Sequence, residues 1–463
     1  MALRMQAEQF TGEVKAILDD LTSHFAGSQP EVSDLLDDEG NQYVDIVMEG
    51  GGVLGIALVG YLYVMEQMGI RFLRIGGTSA GSINAMLLAS VGEAKDQKAE
   101  TIINHLANLD LYSFVDGDEG ARSFIRHLLE DDDDDGDEKP GFFRRLKGIG
   151  GTLLESTGIW DELFSGKLGL NPGEKFHEWT RGVLEQSRIR TTQDLYEHLG
   201  KVPALHHRHG NPLTPDQQRA RLVIVAADIS TETKAEFPKM APLYWLNPND
   251  VHPADYVRAS MSIPVFFEPM QLECIEKQLD EARRAEYLRN WDDWAGYKLK
   301  EGRQSPFPHK HVFVDGGIMS NFPMDLFHNP KADPVAPTFG VKLGEEDRKS
   351  EVRKLLSLTG AVFNAARHCL DYDFITRNPD YRHLITYVDT GSHNWLNFEL
   401  TGAEKIDLFK RGARAAATFL KTFNWTKYKE IRAGLKQAYR VSEALKEETK
   451  KIKEELQEEQ QPQ

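Results

Sequence analysis

Little in this chain suits a disulfide-built, secreted or membrane-spanning protein. Cysteine is scarce, with Cys274 and Cys369 the only two in 463 residues. They lie far apart and form neither a CxxC pair nor a zinc spacing, so both read as reduced, partly buried thiols. The N-terminus from Met1 to Asp20 carries acidic and polar residues where a signal peptide needs an apolar stretch. The longest apolar run, Val53 to Met65, falls well short of the roughly 20 residues of a spanning helix and reads as a buried helix. Positive charge is in deficit too. The formal net charge of −17 excludes nucleic acid as a general partner, because phosphate binding needs a basic face. It also sets the average surface against an anionic membrane, where only a local basic patch would dock. The expectation is a cytoplasmic protein, or one held peripherally at a membrane surface. No internal repeat is present.

What remains is the composition of an ordinary globular protein, long enough for a large core. Residues 1–42 read as a helix and an acidic linker. From Tyr43 the pattern becomes α/β. YVDIVME is a buried strand, GGG a tight turn, and LGIALVGYLYVMEQMG a helix; RFLRIGG is a second strand, TSAG a turn, and SINAMLLASV a second helix. Such alternation predicts a parallel sheet with covering helices. RLVIVAAD, HVFVDGG, TFGVKL and HLITYVD supply further strands, and ADYVRASMSIP a short helix ended by Pro264. Two stretches read as insertions, at about 108–220 and 271–308, the second of them helical. Thr401 and Glu404 form a capping signal for the helix TGAEKIDLFKRGARAAATFL. Residues 424–463 are rich in Lys and Glu, with Tyr428, Ile431, Leu435, Tyr439, Leu445, Ile452 and Leu456 as an apolar stripe at helical spacing. This predicts a packed or partner-binding helix fraying into a charged tail.

The chemistry sits at strand ends. GTSAG, Gly77 to Gly81, lies between a strand and a helix and fits the Gly-x-Ser-x-Gly nucleophile elbow. Ser79 would project from a tight turn, Gly77 and Gly81 would remove Cβ atoms that clash there, and the next helix would aim free N–H groups at the reacting centre. Upstream, GGGVLG leaves backbone donors unobstructed, as the tetrahedral oxyanion of acyl transfer requires. The Gly50–Val53 loop is assigned to this oxyanion hole, with Gly51 and Gly52 as the first donors and Val53 next. Gly50, Gly52 and Gly55 also satisfy the dinucleotide pattern G-x-G-x-x-G, but the second strand ends in glycines and Ser79 rather than the acid that would hold a ribose. The third element is VDGG, which puts Asp315 at a strand's end with Gly316 and Gly317 behind it. Asp315 could take the serine proton directly, a base being needed because a hydroxyl is a poor nucleophile at neutral pH.

Together these elements resemble the patatin-like phospholipase family, whose pattern is a Gly-Gly-Gly oxyanion loop, a Gly-x-Ser-x-Gly elbow and an Asp-Gly-Gly/Ala turn. RASMSIPVFFEP, Arg258 to Pro269, is similar to its Ala-Ser-x-x-Ile-Pro segment, and AADISTETKAEF, Ala226 to Phe237, is a weaker match. The resemblance spans roughly Tyr43 to Leu420 and departs from the pattern at Leu54, where many members carry Lys or Arg. It implies an α/β fold with a mostly parallel central sheet sandwiched by helices, a catalytic unit over 43–423, and a Ser79–Asp315 dyad hydrolysing acyl esters of phospholipids or neutral glycerolipids. No catalytic metal or cofactor is implied. Two alternatives stay open at this point. One is an α/β-hydrolase triad whose imidazole comes from His328, His368, His383 or His393. The other is an inactive lipid-binding scaffold of the same fold.

Other features read more plainly. His206, His207 and His209 sit in a polar loop with no carboxylate at ligand spacing, so a solvated loop is expected rather than a metal site. The run Asp131 to Asp135 with Gly136 starts like a calcium loop, but Phe142 stands where the closing Glu is required. In GFFRRLKGIGG, Phe142 and Phe143 beside Arg144, Arg145 and Lys147 are read as a core-facing amphipathic stretch, with a membrane-surface patch as the alternative. Trp160, Trp291 and Trp294 are read as core residues.

Overall fold

The computed structural model describes residues 4–109, 114, 168–297, 307–344, 365, 371–393, 397 and 399–459. Its strands are β1 (Leu35–Asp37), β2 (Gln42–Met48), β3 (Ile70–Thr78), β4 (Gly169–Asn171), β5 (Leu205–His207), β6 (Arg221–Asp228), β7 (Thr233–Phe237), β8 (Val265–Phe267), β9 (Met270–Glu273), β10 (Lys310–Val314), β11 (Thr338–Leu343) and β12 (Ile385–Val388). The main sheet runs β12-β11-β2-β3-β6-β10-β9. From β12 to β6 every neighbour is parallel; β10, β9 and β7 extend it antiparallel, as do β1 and β5 at the side of β2. β2 is buried along its whole length, as expected of a parallel strand covered on both faces.

The apolar run after the three glycines forms the helix Gly55–Gln67, buried from Gly55 to Glu66. It packs against the helix Gly402–Thr422, which is closed at its start by the Thr401–Glu404 capping box. Their backbones meet at glycines: a Cβ on Gly60 would run into the Phe409 carbonyl, and one on Gly412 into that of Ala57. The helix Ala80–Ser90 lies on β3 and β6, so both strand–turn–helix units read from the sequence are present.

Four segments differ from expectation. Before Gln42 the expected helix is present, as Ala7–Thr11 and Lys15–His24, but the stretch after it is no free linker. Phe10, Val14 and Leu21 are fully buried in the main core, and β1 pairs with β2. The acidic residues there build the turn: Asp37 accepts hydrogen bonds from the N–H groups of Glu39 and Asn41 and from the Tyr43 hydroxyl. The described part of the first insertion is woven in rather than set beside the sheet. β5 pairs with β1, and the helix Glu174–Gln186 buries Phe176 against the helix Ala254–Ser260. In the second, β9 joins the edge of β10, and the helix Glu281–Ala295 buries Trp291. The C-terminal helix, Trp425–Glu459, begins inside the core, where Trp425 and Tyr428 are buried and Arg432 pairs with Asp380 at 3.1 Å; Leu445, in the expected stripe, is exposed.

The histidine segment also differs. Leu205–His207 is strand, not loop, and His207 and His209 stand 3.9 and 3.7 Å from the buried carboxylate of Asp34. That carboxylate also takes Lys429 at 2.8 Å; His206 and His209 are exposed, as a solvated segment would have them, and His207 is buried. The acidic run from Asp131, the stretch Gly141 to Gly151, Trp160, His368 and Cys369 lie outside the described residues.

Candidate active site

The register of the sheet brings the two expected residues together. β3 and β10 both pair with β6. Thr78 stands opposite Val225, and Val314 opposite Ala227, two residues further along. The residue after each strand end is Ser79 on one side and Asp315 on the other. The Ser79 hydroxyl donates to Asp315 Oδ2 at 2.6 Å. Both are nearly buried, at 3% and 5% exposure.

Each is held by a separate set of bonds. Ser79 has φ 53°, a conformation that a non-glycine residue adopts at a cost of order 1–3 kcal/mol. Its N–H donates to Ser260 Oγ at 2.9 Å, and Ser260 in turn donates to the Val225 carbonyl at 2.6 Å. Gly81 lies so close to β2 that a Cβ would strike the Met48 carbonyl, and a Cβ on Gly77 would strike that of Gly81. The sharp turn therefore requires both glycines of the pentapeptide. Met261 Sδ lies 3.4 Å from the serine oxygen.

Asp315 keeps one oxygen for the serine and the other for its own turn. Oδ1 accepts from the Gly317 N–H at 2.8 Å, and the Asp315 N–H donates to the Ser262 carbonyl at 2.8 Å. Gly316 sits where a Cβ would meet the Val225 carbonyl, so the Asp-Gly pair is fixed by closeness to β6. Arg258 steadies this side. It donates to Ser262 Oγ at 2.6 Å and to the carbonyls of Pro172 and Glu268, both at 2.7 Å.

The glycine loop follows β2. Gly50 differs from its expected place as an oxyanion donor, because its N–H donates to the Asn321 carbonyl at 3.1 Å. It fastens the loop instead, and a Cβ there would stand 2.8 Å from that of Ser79. Below it the buried carboxylate of Glu49 accepts from Asn321 Nδ2 at 3.1 Å, Lys342 Nζ at 3.0 Å and the Leu343 N–H at 2.6 Å. Asp371 secures the same corner through the Ser320 hydroxyl and the Phe322 N–H, and burial raises its carboxyl to about 6. Gly52 has φ 55°. Leu54 is buried.

The histidines of the triad alternative are engaged elsewhere or lie outside the described residues. His328 Nδ1 bonds the Tyr381 hydroxyl at 2.8 Å, and His393 bonds Asp407 at 2.9 Å; His383 is exposed. Ser79 meets its carboxylate without an intervening ring. Among the described residues there is no group of three or more His, Cys, Asp or Glu side chains that could hold a metal ion, and no helix long and apolar enough to cross a membrane.

Glu49, Asn321, Arg258, Ser260 and Ser262 were not singled out by sequence reasoning. Glu49 had a signal, a carboxylate closing an otherwise apolar strand. The serines and Arg258 lay within a segment noted only for its resemblance, and nothing local marks Asn321.

A serine in a strained Gly-x-Ser-x-Gly turn bonded to a strand-end carboxylate, on a mostly parallel α/β sheet, is what the fold and the site put together. The family model of patatin-like phospholipases matches residues 46–328, and this chain belongs to that family. The uncharacterized protein YqhO of Bacillus subtilis (strain 168) is 28% identical over 387 residues, covering 83% of this chain and 99% of that protein. Among solved structures, VipD from Legionella pneumophila aligns with 85% of this chain and 71% of its own at 14% identity and a TM-score of 0.38. ExoU, in its complex with SpcU from Pseudomonas aeruginosa, aligns with 85% of this chain and 52% of its own at 14% identity and a TM-score of 0.31.

Proposed function

We propose that this chain hydrolyses acyl esters of lipids, with Ser79 as nucleophile and Asp315 as its base. The observation that carries the reading is the 2.6 Å bond from the serine hydroxyl to Asp315 Oδ2. In the first step the Ser79 oxygen attacks the ester carbonyl as its proton passes to Asp315. The carbonyl oxygen takes up negative charge near the N–H groups of Gly51, Gly52 and Val53, helped by Ala80 at the start of its helix; one such donor is worth about 10²–10³ in rate. The protonated Asp315 then gives its proton to the leaving alcohol or lysolipid. In the second step Asp315 draws a proton from water as it attacks the acyl-serine, and returns that proton to the Ser79 oxygen as the acyl bond breaks and the fatty acid leaves. No step calls for a metal or cofactor. The catalytic unit is assigned to residues 43–423, and substrate contact to a peripheral approach to the lipid surface. Leu54 offers no cation to an anionic head group.

A fluorophosphonate probe is expected to label the wild type and not Ser79→Ala. Hydrolysis of phospholipids, lysophospholipids and triacylglycerols is expected to fall about 10³-fold or more in Asp315→Asn, as for residues that act as a unit. Folded wild-type protein that neither takes the probe nor releases fatty acid would overturn the reading and favour a lipid-binding scaffold. A comparable loss on replacing His328, His368, His383 or His393 would favour a triad.

A further inference from the structure

A second constellation lies behind the first, on β6, β9 and β10. Asp228 and His311 are both fully buried, with Asp228 Oδ2 2.8 Å from His311 Nδ1. The carboxylate is itself fixed by the Ser230 N–H at 2.9 Å and the Thr231 hydroxyl at 2.7 Å. The ring stacks on Trp291 and meets Tyr244 edge-on, so it cannot turn. Its Nε2 makes no hydrogen bond. The register that sets Leu272 opposite His311, with the Cys274 N–H on the His309 carbonyl, puts the half-buried Cys274 beside the ring on the same face of β9 and β10.

An acid orienting an imidazole that faces a thiol is the arrangement by which proteins hold a sulfur nucleophile ready. Ester hydrolysis at Ser79 leaves all three groups unused. We propose that Cys274, with His311 and Asp228, is a reactive thiolate site for small hydroperoxides, separate from the Ser79–Asp315 pair. The thiolate sulfur attacks one peroxide oxygen. The S–O bond forms as the O–O bond breaks, sulfur is oxidised by two electrons, and the leaving hydroxide or alkoxide takes the His311 Nε2 proton and departs as water or an alcohol. The product is a sulfenic acid beside a neutral imidazole.

The charged and titratable groups around the thiol favour this state. Burial alone would lower His311, but the bond to Asp228 and the thiol carry it up to about 9. Burial alone would raise the thiol, but His311, the Glu276 N–H and the Tyr287 hydroxyl bring it below its ordinary value. Glu276 is paired with Arg284 at 2.6 Å, and Lys310 with Glu273 at 3.3 Å, so neither acid stands as an uncompensated charge against the sulfur. Tyr287 Oη lies 3.8 Å from the sulfur, and Tyr244 lies on the far side of the ring.

The test is the pH dependence of alkylation by iodoacetamide in the folded full chain, read on the Cys274 peptide by mass spectrometry with Cys369 as the comparison thiol. The half-maximal rate is expected below the ordinary thiol value of about 8.5, and Asp228→Asn is expected to raise it by about one pH unit, roughly a tenfold loss of thiolate near neutrality. Hydrogen peroxide followed by dimedone is expected to give an adduct on Cys274 in the wild type. His311→Gln repeats the test where it folds, and the wild-type profile decides where it does not. A midpoint at or above the ordinary value, a midpoint that Asp228→Asn leaves in place, or no dimedone adduct would each overturn the proposal. None of these readouts depends on ester hydrolysis.

Discussion

Replacing Ser260 by alanine tests the claim that the elbow is held from outside itself. Ser260 is fully buried and touches no substrate atom in the proposed reaction. Its hydroxyl accepts the Ser79 N–H at 2.9 Å and donates to the Val225 carbonyl at 2.6 Å. Alanine leaves both groups buried without that partner, at about 1–3 kcal/mol each, which gives roughly 1.5–5.5 kcal/mol for the pair after the slightly better helix propensity of alanine. The Ser79 peptide would then be free to relax from φ 53°, swinging the hydroxyl off Asp315. A misplacement near 1 Å costs on the order of 10² in rate, so kcat should fall about 10–100-fold with KM little changed. Urea unfolding followed by fluorescence gives the first quantity, and release of fatty acid from a dispersed ester gives the second. Ser90→Ala, at a fully buried serine that ends the helix after the elbow and whose hydroxyl bonds the Leu87 carbonyl at 3.3 Å, is the comparison and should leave kcat unchanged. A Ser260→Ala protein with stability and kcat both within about twofold of wild type would refute the reasoning.

Gly81→Ala should lower stability by about 1–3 kcal/mol or more, as overpacking against fixed backbone does, and abolish probe labelling; a labelled, equally stable variant would show that β2 yields at Met48. Arg258→Lys replaces a fork bonded to three acceptors by one point charge, so kcat should fall about tenfold with normal folding by circular dichroism, because Asp315 hangs from Ser262. Glu66 is buried, and burial raises its carboxyl to about 7 although the N–H groups of Lys98 and Ala99 bond it. A carboxyl raised in the folded state contributes stability below its unfolded value, and that contribution is lost as pH rises through the folded one. Between pH 4.5 and 8 the wild type should therefore lose roughly 2–3 kcal/mol more than Glu66→Gln, at about 1.4 kcal/mol per tenfold change in acid equilibrium; parallel curves in pH-dependent urea unfolding would contradict this.

Much of the site was legible because its parts carry local constraints. Gly77 and Gly81 are needed for a turn, Gly316 for contact with β6, and Ser79 and Asp315 close apolar strands, so each leaves a mark in the sequence. The parts that were not legible depend on pairings between distant segments. Asn321 occupies the Gly50 N–H from across 271 positions of chain, which no window around the glycines reveals. The acidic stretch before Gln42 read as a linker because charge usually marks solvent. Here Asp34 and Asp37 are buried by partners as remote as Lys429 and as near as Asn41. The histidines at 206–209 misled in the same way, since their carboxylate comes from β1's neighbourhood rather than their own.

β3 and β10 run toward each other along one edge of β6, like two rulers laid tip to tip against a third. A slip of β10 by a single residue would carry Asp315 about 3.3 Å along and turn its side chain to the opposite face. Turnover by this protein would therefore serve as a gauge of strand alignment: a chain that refolds with full helix content yet β10 misthreaded would look native by circular dichroism and be silent in the assay.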